Sequence, residues 1–482
     1  MTGIKFYGSQ VGSKIKLTHQ TSNEPISLLY HDILTALKSA PEIIYIFWPI
    51  WPALSGDFCE LAPTRANFWA IFLHVVLFVM QVPFVLSVPL WILLPGWTVI
   101  IGVAVFMVLN NLVAYLLNGP KKEFRSGEKF AKKRSEHEGE EWVFMNGVAA
   151  GEHWLQRNID RIALTFGRPV TGLHNKTNGI VFDVLQVLWQ RNFRYATTDV
   201  RKHFTILKAL LFDPDTKKLV FMMHSQGAIE GGMIIDLLLQ EIPQDLLAKL
   251  EVYTFGCAAN HFNNPRRHVR GSEAEHSHSQ KCLDKDRDPG KAIHHIEHYC
   301  HTKDFVARWG ILHYINPGIT EPDFPRFMGR VFQREGSGHM FGQHYFDNMF
   351  PLEPAPTKDG GIGQSGFLGA DEKKNAFMNE DVEWVGKTRV GRQENLETSA
   401  TTTDGTTPEF YDEESSDDEG KVGIFDESPI NSRQSTFNSG FVNGEGRRAY
   451  KVRNLSRLWQ YRNGKCPRVD RVDVKVQRMR TA

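Results

Sequence analysis

The sequence has few cysteines and little net charge, and each shortage excludes a class of protein. Its 482 residues include five cysteines without a C-x-x-C pair, and its formal net charge is +1. Sparse, unpaired cysteines are typical of a reducing compartment rather than of a disulfide-stabilised secreted fold. The near-zero charge gives no reason to expect nucleic acid as a partner. The N-terminus, MTGIKFYGSQVGSKIKL, lacks the apolar run of a cleaved signal peptide.

Charged side chains are absent between Ala66 and Pro120, where the chain has no Asp, Glu, Lys or Arg. The apolar segments 68–94 and 97–117 each reach the roughly 20 residues that a membrane-spanning helix needs. Pro95-Gly96 separates the two segments and forms the predicted turn. We therefore predict a membrane hairpin of two helices over residues 67–118, against the alternative of a buried hairpin in a soluble protein.

Three features bear on how this hairpin lies in the membrane. The basic stretch PKKEFRSGEKFAKKR (120–134) follows it directly and, by the positive-inside rule, predicts that both flanks are cytoplasmic. Pro83 and Pro89 interrupt the first segment, which leaves a re-entrant hairpin as the alternative to a spanning one. Within the N-terminal cytoplasmic region 1–66, the aromatic-rich segment 43–54 either lies at the interface or packs on the soluble domain. The endoplasmic reticulum and the lipid droplet are the candidate membranes.

Residues 139–352 alternate between strand-like and helix-like patterns. This alternation is typical of an α/β fold with a doubly wound sheet. Strands are predicted at 141–147, 169–175, 219–224 and 249–256, and helices at 152–166, 180–193, 200–211 and 228–242.

The composition changes beyond residue 353. Residues 354–446 are rich in Ser and Thr, acidic over 398–420 and poor in apolar anchors, which predicts disorder. A disordered region of this kind offers contact sites for protein partners. The last stretch, 447–482, carries twelve Lys or Arg and two Asp. It either contacts anionic lipid headgroups or forms a solvated basic tail.

The stretch LVFMMHSQGAIEGG (219–232) places Ser225 between a strand-like run and a helix-like run. A turn of that kind can hold a nucleophilic serine above the edge of the sheet, where the following helix supplies N–H groups to an oxyanion. Met223 departs from the G-x-S-x-G pattern, which has a small residue at that position. The alternative to a nucleophile is an ordinary turn serine.

A nucleophilic serine needs a histidine base and a carboxylate that orients the base, and in this architecture they follow in the order Ser, acid, His. The stretch 292–310 predicts a strand that leaves Asp304 in the loop at its carboxyl end. His339 lies in the small-residue loop REGSGH, whereas His344 lies on a helix-like run and ranks second as the base. The alternatives are a loop carboxylate that pairs with Arg308 and a turn histidine.

The predicted oxyanion donors are backbone N–H groups. One belongs to Gln226, which follows the serine, and the other to Gly147 or Val148, in the loop after the strand EWVFMNG. An ordinary tight turn at residues 146–147 is compatible with either interpretation of the serine.

A second cluster of possible ligands occupies residues 276–301. Zinc binds His and Cys side chains, but a strand would place His294 and His298 about 13 Å apart, too far to hold one ion. We therefore predict neither a metal nor a cofactor. The cluster consists of His276, His278, Cys282, His294, His295, His298, Cys300 and His301.

The chain also resembles a known group of proteins. HSQG (224–227), VYTFG (252–256) and KDFVARWG (303–310) are similar to the class-three lipase arrangement within the α/β-hydrolase fold. More closely, the stretches beginning NGVAAGEHWL and GRVFQREGSGHMFG resemble fungal membrane-anchored α/β-hydrolase-like proteins, over about 141–350. This resemblance implies Ser225 as the nucleophile, Asp304 as the acid and His339 as the base.

Together, these patterns predict a membrane-anchored serine hydrolase that cleaves an acyl ester, with a lipid as the expected substrate. The alternative is a catalytically silent α/β-hydrolase domain that serves as a membrane scaffold or a lipid-binding module.

Overall fold

The computed structural model describes residues 3–8, 25–265, 291–315, 327–356, 362–367, 375–385 and 450–467. The acidic stretch 398–420, the end of the basic tail, and His276, His278 and Cys282 lie outside the described residues.

Among the described residues, nine strands form one mixed sheet in the order β11-β1-β8-β7-β6-β5-β3-β4-β2. The strands are β1 (Ile4–Tyr7), β2 (Phe124–Arg125), β3 (Glu140–Met145), β4 (Val170–Leu173), β5 (Lys218–His224), β6 (Leu250–Phe255), β7 (His295–His301), β8 (Arg330–Arg334) and β11 (Val382–Val385), while β9 (Leu352–Pro356) and β10 (Ile362–Phe367) form a separate pair. Neighbouring strands from β4 through β8 are parallel, whereas β2 and β1 join this set in antiparallel pairing. The predicted mixed α/β class is confirmed.

Helices cover both faces of the sheet. They include α1 (Pro25–Lys38), α2 (Arg65–Ser87), α3 (Gly96–Asn118), α4 (Glu152–Phe166), α5 (Ile180–Phe193), α6 (Thr198–Phe212), α7 (Gly227–Glu241), α8 (Gln244–Leu247) and α9 (Phe305–Trp309). Side chains alternate along β5, because successive residues of a strand point to opposite faces. Leu219, Phe221 and Met223 pack with α5, α6 and α7, whereas Val220 and Met222 pack with α4 and the C-terminal segment.

The sheet extends beyond the 139–352 range expected for the α/β domain. The N-terminal region supplies β1, and the region after residue 353 supplies β11. Residues 450–467 of the expected basic tail pack on one face, where Leu458 is fully buried and Arg457 pairs with Glu251 at 2.7 Å. Short apolar anchors such as VEWV and NLSRLW are sufficient here because they add to an existing sheet edge and core.

The apolar hairpin consists of α2, which a 3-10 helix continues to Leu93, and α3. Arg65–Leu93 has 29 residues and Gly96–Asn118 has 23, each with a mean hydropathy of 2.3 in its most apolar window. Only 22% and 11% of those windows are buried within the protein. Both helices are therefore long and apolar enough to cross a membrane, and most of their surface is exposed.

Candidate active site

Ser225 lies at the carboxyl end of β5, in a tight turn before α7. Its φ of +57° is in the left-handed region, which a residue with a side chain rarely adopts. The Ser225 N–H donates to the carbonyl of Phe255 at 3.1 Å, and its carbonyl accepts from the Ala258 N–H at 3.3 Å. Neighbouring β6 therefore fixes the strained backbone, and the predicted strand–turn–helix is confirmed.

Two glycines allow a second loop to approach this turn. A Cβ on Gly227 would lie 2.7 Å from the carbonyl oxygens of Met145 and Asn146. A Cβ on Gly147 would lie 2.5 Å from Ser225 Cβ and 3.0 Å from its Oγ. The backbone of loop 146–151, after β3, therefore lies directly against the serine.

This approach brings the predicted oxyanion candidates to the serine. Gly147 is in direct contact with Ser225, and Gln226 follows it in the chain. Val148 is partly buried and packs against the hydrophobic core that includes residues of α7. The backbone of two segments, the loop after β3 and the turn residue Gln226, thus adjoins Ser225.

The size of Met223 is accommodated by a glycine on the following helix. Met223 is fully buried, and a Cβ on Gly231 of α7 would overlap its sulfur atom. A Cβ there would also lie 3.2 Å from the ring of Phe221. The elbow therefore keeps its tight geometry because α7 offers the space that a small residue in the strand would otherwise leave.

Gly231→Ala should lower the melting temperature, because the new methyl group displaces the Met223 side chain from a packed core. Overpacking of this kind costs about 1–3 kcal/mol. The same change in a Met223→Ala background should be neutral or stabilising, since alanine favours helix over glycine by about 1 kcal/mol. Thermal unfolding of the four proteins in this cycle measures the coupling. Equal effects of Gly231→Ala in both backgrounds would contradict the packing explanation.

Asp304 and His339 form a buried pair beside the serine turn. His339 Nδ1 lies 2.8 Å from Asp304 Oδ2, and the two side chains are 7% and 0% exposed. Burial would raise the pKa of Asp304. The neighbouring His339, together with the hydrogen bonds that Asp304 accepts from His339 and Tyr345, holds this pKa below its ordinary value. Asp304 also caps α9 through a 2.8 Å bond from the Val306 N–H. The pair is therefore built to keep an ionised carboxylate on the Nδ1 side of the imidazole.

Two further residues contact this pair, and neither belongs to a catalytic motif that the sequence analysis identified. The Tyr345 hydroxyl donates to Asp304 Oδ2 at 2.6 Å. Gly256, after β6, has a φ of +55°, and a Cβ there would lie 2.8 Å from His339 Nδ1. For these two residues, the only sequence feature that indicates a role at the site is the position of Gly256 at the end of the T-F-G stretch. Among the described residues, no hydrogen bond joins the Ser225 hydroxyl to the His339 ring.

His344, the second candidate base, is fixed on both ring nitrogens. Its Nδ1 accepts from the Met340 N–H at 2.9 Å, and its Nε2 lies 2.8 Å from the Pro49 carbonyl oxygen. Burial lowers the pKa of His344, and so does nearby His339. These bonds tie the loop of His339 to the N-terminal region and leave neither nitrogen of His344 free.

His224, directly before the serine, contacts the loop of His339. Its Nε2 lies 2.7 Å from the His339 carbonyl oxygen, and the two ring centroids are 4.6 Å apart. Burial, followed by the proximity of His339, lowers the pKa of His224 to about 3. A neutral His224 therefore holds the backbone of His339 against β5.

Loop 146–151 is held from behind by a buried carboxylate. Ala149 has a φ of +60°, and its N–H donates to Asp183 Oδ2 at 3.0 Å. Asp183 also accepts from Thr177 Oγ1 at 2.6 Å and from the Asn178 N–H at 2.8 Å. Burial raises the pKa of Asp183 to about 6. The loop beside Ser225 is thus fixed to the start of α5.

A chain of buried amides extends from the same loop beneath the serine turn. The Asn175 N–H donates to Asn146 Oδ1 at 2.8 Å, and the Asn175 side chain donates to Gln226 Oε1 at 3.0 Å. Gln226 then donates to Gln190 at 3.0 Å, and Gln190 donates to Glu230 at 2.8 Å. The chain holds the Gln226 side chain between Asn175 and Gln190 and ends on the fully buried carboxyl of Glu230.

Glu230→Gln should make the stability less dependent on pH. Burial raises the pKa of Glu230 from 4.5 to about 8. A carboxyl with a raised folded-state pKa binds more protons when folded, so the free energy of unfolding falls as the pH rises through that window. Glutamine keeps the acceptor for Gln190 and cannot ionise. Melting temperatures from about pH 5 to about pH 8 test this, and parallel curves for the two proteins would contradict it.

Two histidines of β7 that suggested a metal site, His298 and His301, are hydrogen-bonded to other groups. His298 Nδ1 lies 2.7 Å from Thr254 Oγ1, and its Nε2 lies 3.0 Å from the Met328 carbonyl oxygen. His301 Nδ1 lies 3.0 Å from the Gly338 carbonyl oxygen. In the described ranges, no three or more His, Cys, Asp or Glu side chains are grouped so that they could hold a metal ion.

The structure thus brings Ser225 together with the backbone of Gly147, and Asp304 together with His339, at the carboxyl edge of one sheet. His344 lies on the short helix 341–346 that follows the loop of His339, and its Nδ1 accepts from the Met340 N–H. Comparisons of this chain with protein-family models, with curated proteins and with solved structures gave no match.

Proposed function

We propose that this chain is a membrane-anchored serine hydrolase of the α/β-hydrolase fold that cleaves an acyl ester, with a lipid as its substrate. One observation carries the proposal. The Asp304–His339 pair, at 2.8 Å, lies beside a serine whose φ of +57° is maintained by neighbouring backbone bonds. A strained serine at a strand–helix turn is the arrangement that exposes a nucleophile.

In the proposed reaction, Ser225 Oγ attacks the ester carbonyl carbon while His339 Nε2 takes the hydroxyl proton. Asp304 holds the imidazole through Nδ1 and stabilises the cation that forms. The N–H groups of Gln226 and of Gly147 or Val148 receive the charge that develops on the carbonyl oxygen. His339 then protonates the leaving alcohol, and a water molecule hydrolyses the acyl-enzyme by the same route.

The fold and family assignments rest on order as well as geometry. Ser225 follows β5, Asp304 follows β7 and His339 follows β8, the sequence of roles expected of α/β-hydrolases. The resemblance to class-three lipases and to fungal membrane-anchored hydrolase-like proteins agrees with this order. The bulk of Met223 was the main argument against a nucleophile turn at Ser225. Gly231 supports the proposal because it leaves room for the Met223 side chain.

The membrane part of the proposal rests on the hairpin. Two long, apolar and largely exposed helices are followed by the basic stretch 120–134, so we propose insertion with both flanks in the cytoplasm. The endoplasmic reticulum and the lipid droplet are the proposed membranes. Protease protection in sealed microsomes tests the orientation, since the α/β domain should be digested from outside.

A fluorophosphonate probe tests the catalytic proposal directly. Such a probe reacts with a serine only when base and oxyanion donors activate it. We expect mass spectrometry to find the adduct on Ser225. Failure of the intact, folded protein to react would remove the nucleophile assignment.

A silent α/β-hydrolase domain that serves as a membrane scaffold or binds lipid is the second candidate. The observation in its favour is that, in the described residues, Ser225 Oγ and His339 are not hydrogen-bonded. Catalytic hydrogen bonds are often long in ligand-free enzymes and tighten with substrate, so we rank this candidate second. It predicts lipid binding without any probe adduct.

A further inference from the structure

The apolar hairpin is fixed to the protein by buried polar side chains. Gln81 of α2 and Asn118 of α3 are 0% and 7% exposed. The Gln81 amide donates to the Asn178 carbonyl oxygen at 2.5 Å, and the Asn118 amide donates to that of Thr177 at 2.7 Å. Thr177 and Asn178 lie in the loop after β4, at the same carboxyl edge of the sheet as Ser225.

Close backbone approaches strengthen this attachment. A Cβ on Gly179 would overlap the Gln81 amide, and a Cβ on Gly151 would overlap the carbonyl of Leu117 in α3. Gly151 ends loop 146–151, which lies against Ser225. The base of the hairpin therefore lies immediately beside the candidate active site.

The part of the hairpin beyond its aromatic contacts with α5 is short. Phe84 and Phe106 stack with centroids 3.6 Å apart, and both contact Phe182 of α5. Beyond them, the arms 85–94 and 96–105 have ten residues each. At helical rises of about 1.5–2.0 Å per residue, each arm extends about 15–20 Å. The hydrocarbon core of a bilayer is about 30 Å thick, so this length fits one leaflet.

Two helices beside the hairpin expose apolar faces. Ile26, Tyr30, Ile33 and Leu37 of α1 are spaced to share one face, and each is at least 41% exposed. On α5, which packs against both α1 and α2, Val184, Leu185 and Trp189 are 43–52% exposed. These stripes are exposed, and contiguous exposed apolar surface of this kind marks a site of contact with a partner or a membrane.

The segment 43–54 completes this exposed surface. Its backbone is bound to the segment that carries the candidate base. The His339 N–H donates to the Ile46 carbonyl oxygen at 3.1 Å, and His344 Nε2 lies 2.8 Å from the Pro49 carbonyl oxygen. Five of its larger side chains are 44–65% exposed, namely Ile44, Phe47, Trp48, Trp51 and Leu54. We call the exposed faces of α1, α5 and 43–54 the apolar collar.

We infer that the apolar collar contacts lipid, that the hairpin tip enters a single leaflet without crossing the bilayer, and that the site opens onto that leaflet. The inference rests on the proposed membrane attachment and specifies its depth and its face. Lipid is the occupant because the collar is continuous with an uncharged hairpin. The exposed basic side chains of 121–134, at the base of α3, also complement anionic headgroups. An acyl substrate would then reach Ser225 from the leaflet without passing through water.

Collar contact is tested with a matched pair of phenylalanines. Phe47 in the collar and Phe212 at the end of α6 are 44% and 48% exposed, but Phe212 precedes β5 and so lies at the opposite edge of the sheet. Phe47→Cys and Phe212→Cys, made in the full chain with Cys282 and Cys466 changed to serine, would each carry an environment-sensitive fluorophore. In phosphatidylcholine–phosphatidylserine vesicles, lipids spin-labelled near the headgroup should quench position 47 alone. Equal quenching at both positions, or none at 47, would overturn lipid contact by the collar.

Depth is tested at the tip with Trp97→Cys, at a position that is 66% exposed. The vesicles used are those in which the α/β domain faces outward and is accessible to protease. In them, the fluorophore at position 97 should be protected both from dithionite added outside and from dithionite trapped inside. Reduction by dithionite trapped inside would mean that the hairpin spans, and reduction from outside would mean that it does not insert. Either result overturns the inference. Since neither readout uses hydrolysis, failure here is separate from failure of Ser225 to react with fluorophosphonate.

Discussion

Ser225→Ala should abolish hydrolysis of short-chain p-nitrophenyl esters while leaving thermal unfolding close to that of the wild type. Removal of the nucleophile from a serine triad lowers kcat by on the order of a millionfold in the best-measured case. The hydroxyl is not needed for the turn, because the bonds that fix Ser225 come from its backbone. Measurement of kcat/KM and of the melting temperature on the same preparations tests both halves of the expectation.

Ser456→Ala is the matched control. Ser456 is fully buried in the C-terminal segment, where its hydroxyl lies 2.8 Å from that of Tyr299. Its loss should lower the melting temperature and leave the rate per folded molecule unchanged. Wild-type activity in Ser225→Ala would end the nucleophile assignment and make the silent scaffold the better description.

Much of the fold could be predicted because local patterns and tertiary structure agree. The run LVFMMH has the apolar character of a strand buried on both faces, and β5 ends at His224 as expected. The helix predicted at 152–166 coincides with α4, whose apolar residues recur at helical spacing. Gly227 supports the predicted turn, because a Cβ there would lie 2.7 Å from the carbonyl oxygens of Met145 and Asn146.

The site could be predicted as residue types in an order, but its contacts could not. Asp304 and His339 are 35 positions apart, and their 2.8 Å bond depends on the parallel register of β7 and β8. Tyr345 donates to Asp304 from a buried π-helix, which has no pattern to distinguish it from an ordinary helix. The compensation of Met223 by Gly231 likewise requires the packing of α7 on β5.

The N-terminal and C-terminal segments were harder to predict because their partners are distant in sequence. The segment 43–54 had two open interpretations, at a membrane interface or against the domain, and the structure shows that its backbone packs against the domain. Its carbonyl groups bind the loop of His339 while its side chains are exposed. Residues 450–467 have a basic composition overall, yet Trp459 is 2% exposed because a core formed elsewhere receives it. Window composition cannot reveal such a preformed site.

His339→Ala should lose nearly all hydrolysis at neutral pH, whereas His344→Ala should mainly lose stability. The His339 ring is bound to Asp304 through Nδ1, which leaves Nε2 to exchange protons with Ser225. Both nitrogens of His344 are engaged, with Met340 and with Pro49, so its loss should loosen the loop. Ester hydrolysis and melting temperature, measured on both variants, separate the two roles.

Added imidazole makes this comparison sharper. It should restore part of the activity of His339→Ala, because a diffusible base can enter the space that the side chain leaves, and it should not affect the melting temperature of His344→Ala. If the two variants exchanged their behaviour, His344 would be the base, and the bonds that fix its ring in this structure would have to break in the complex with substrate. If both retained full activity, proton transfer would require neither histidine. The buried Asp304–His339 pair would then be structural, and the proposed triad would be wrong.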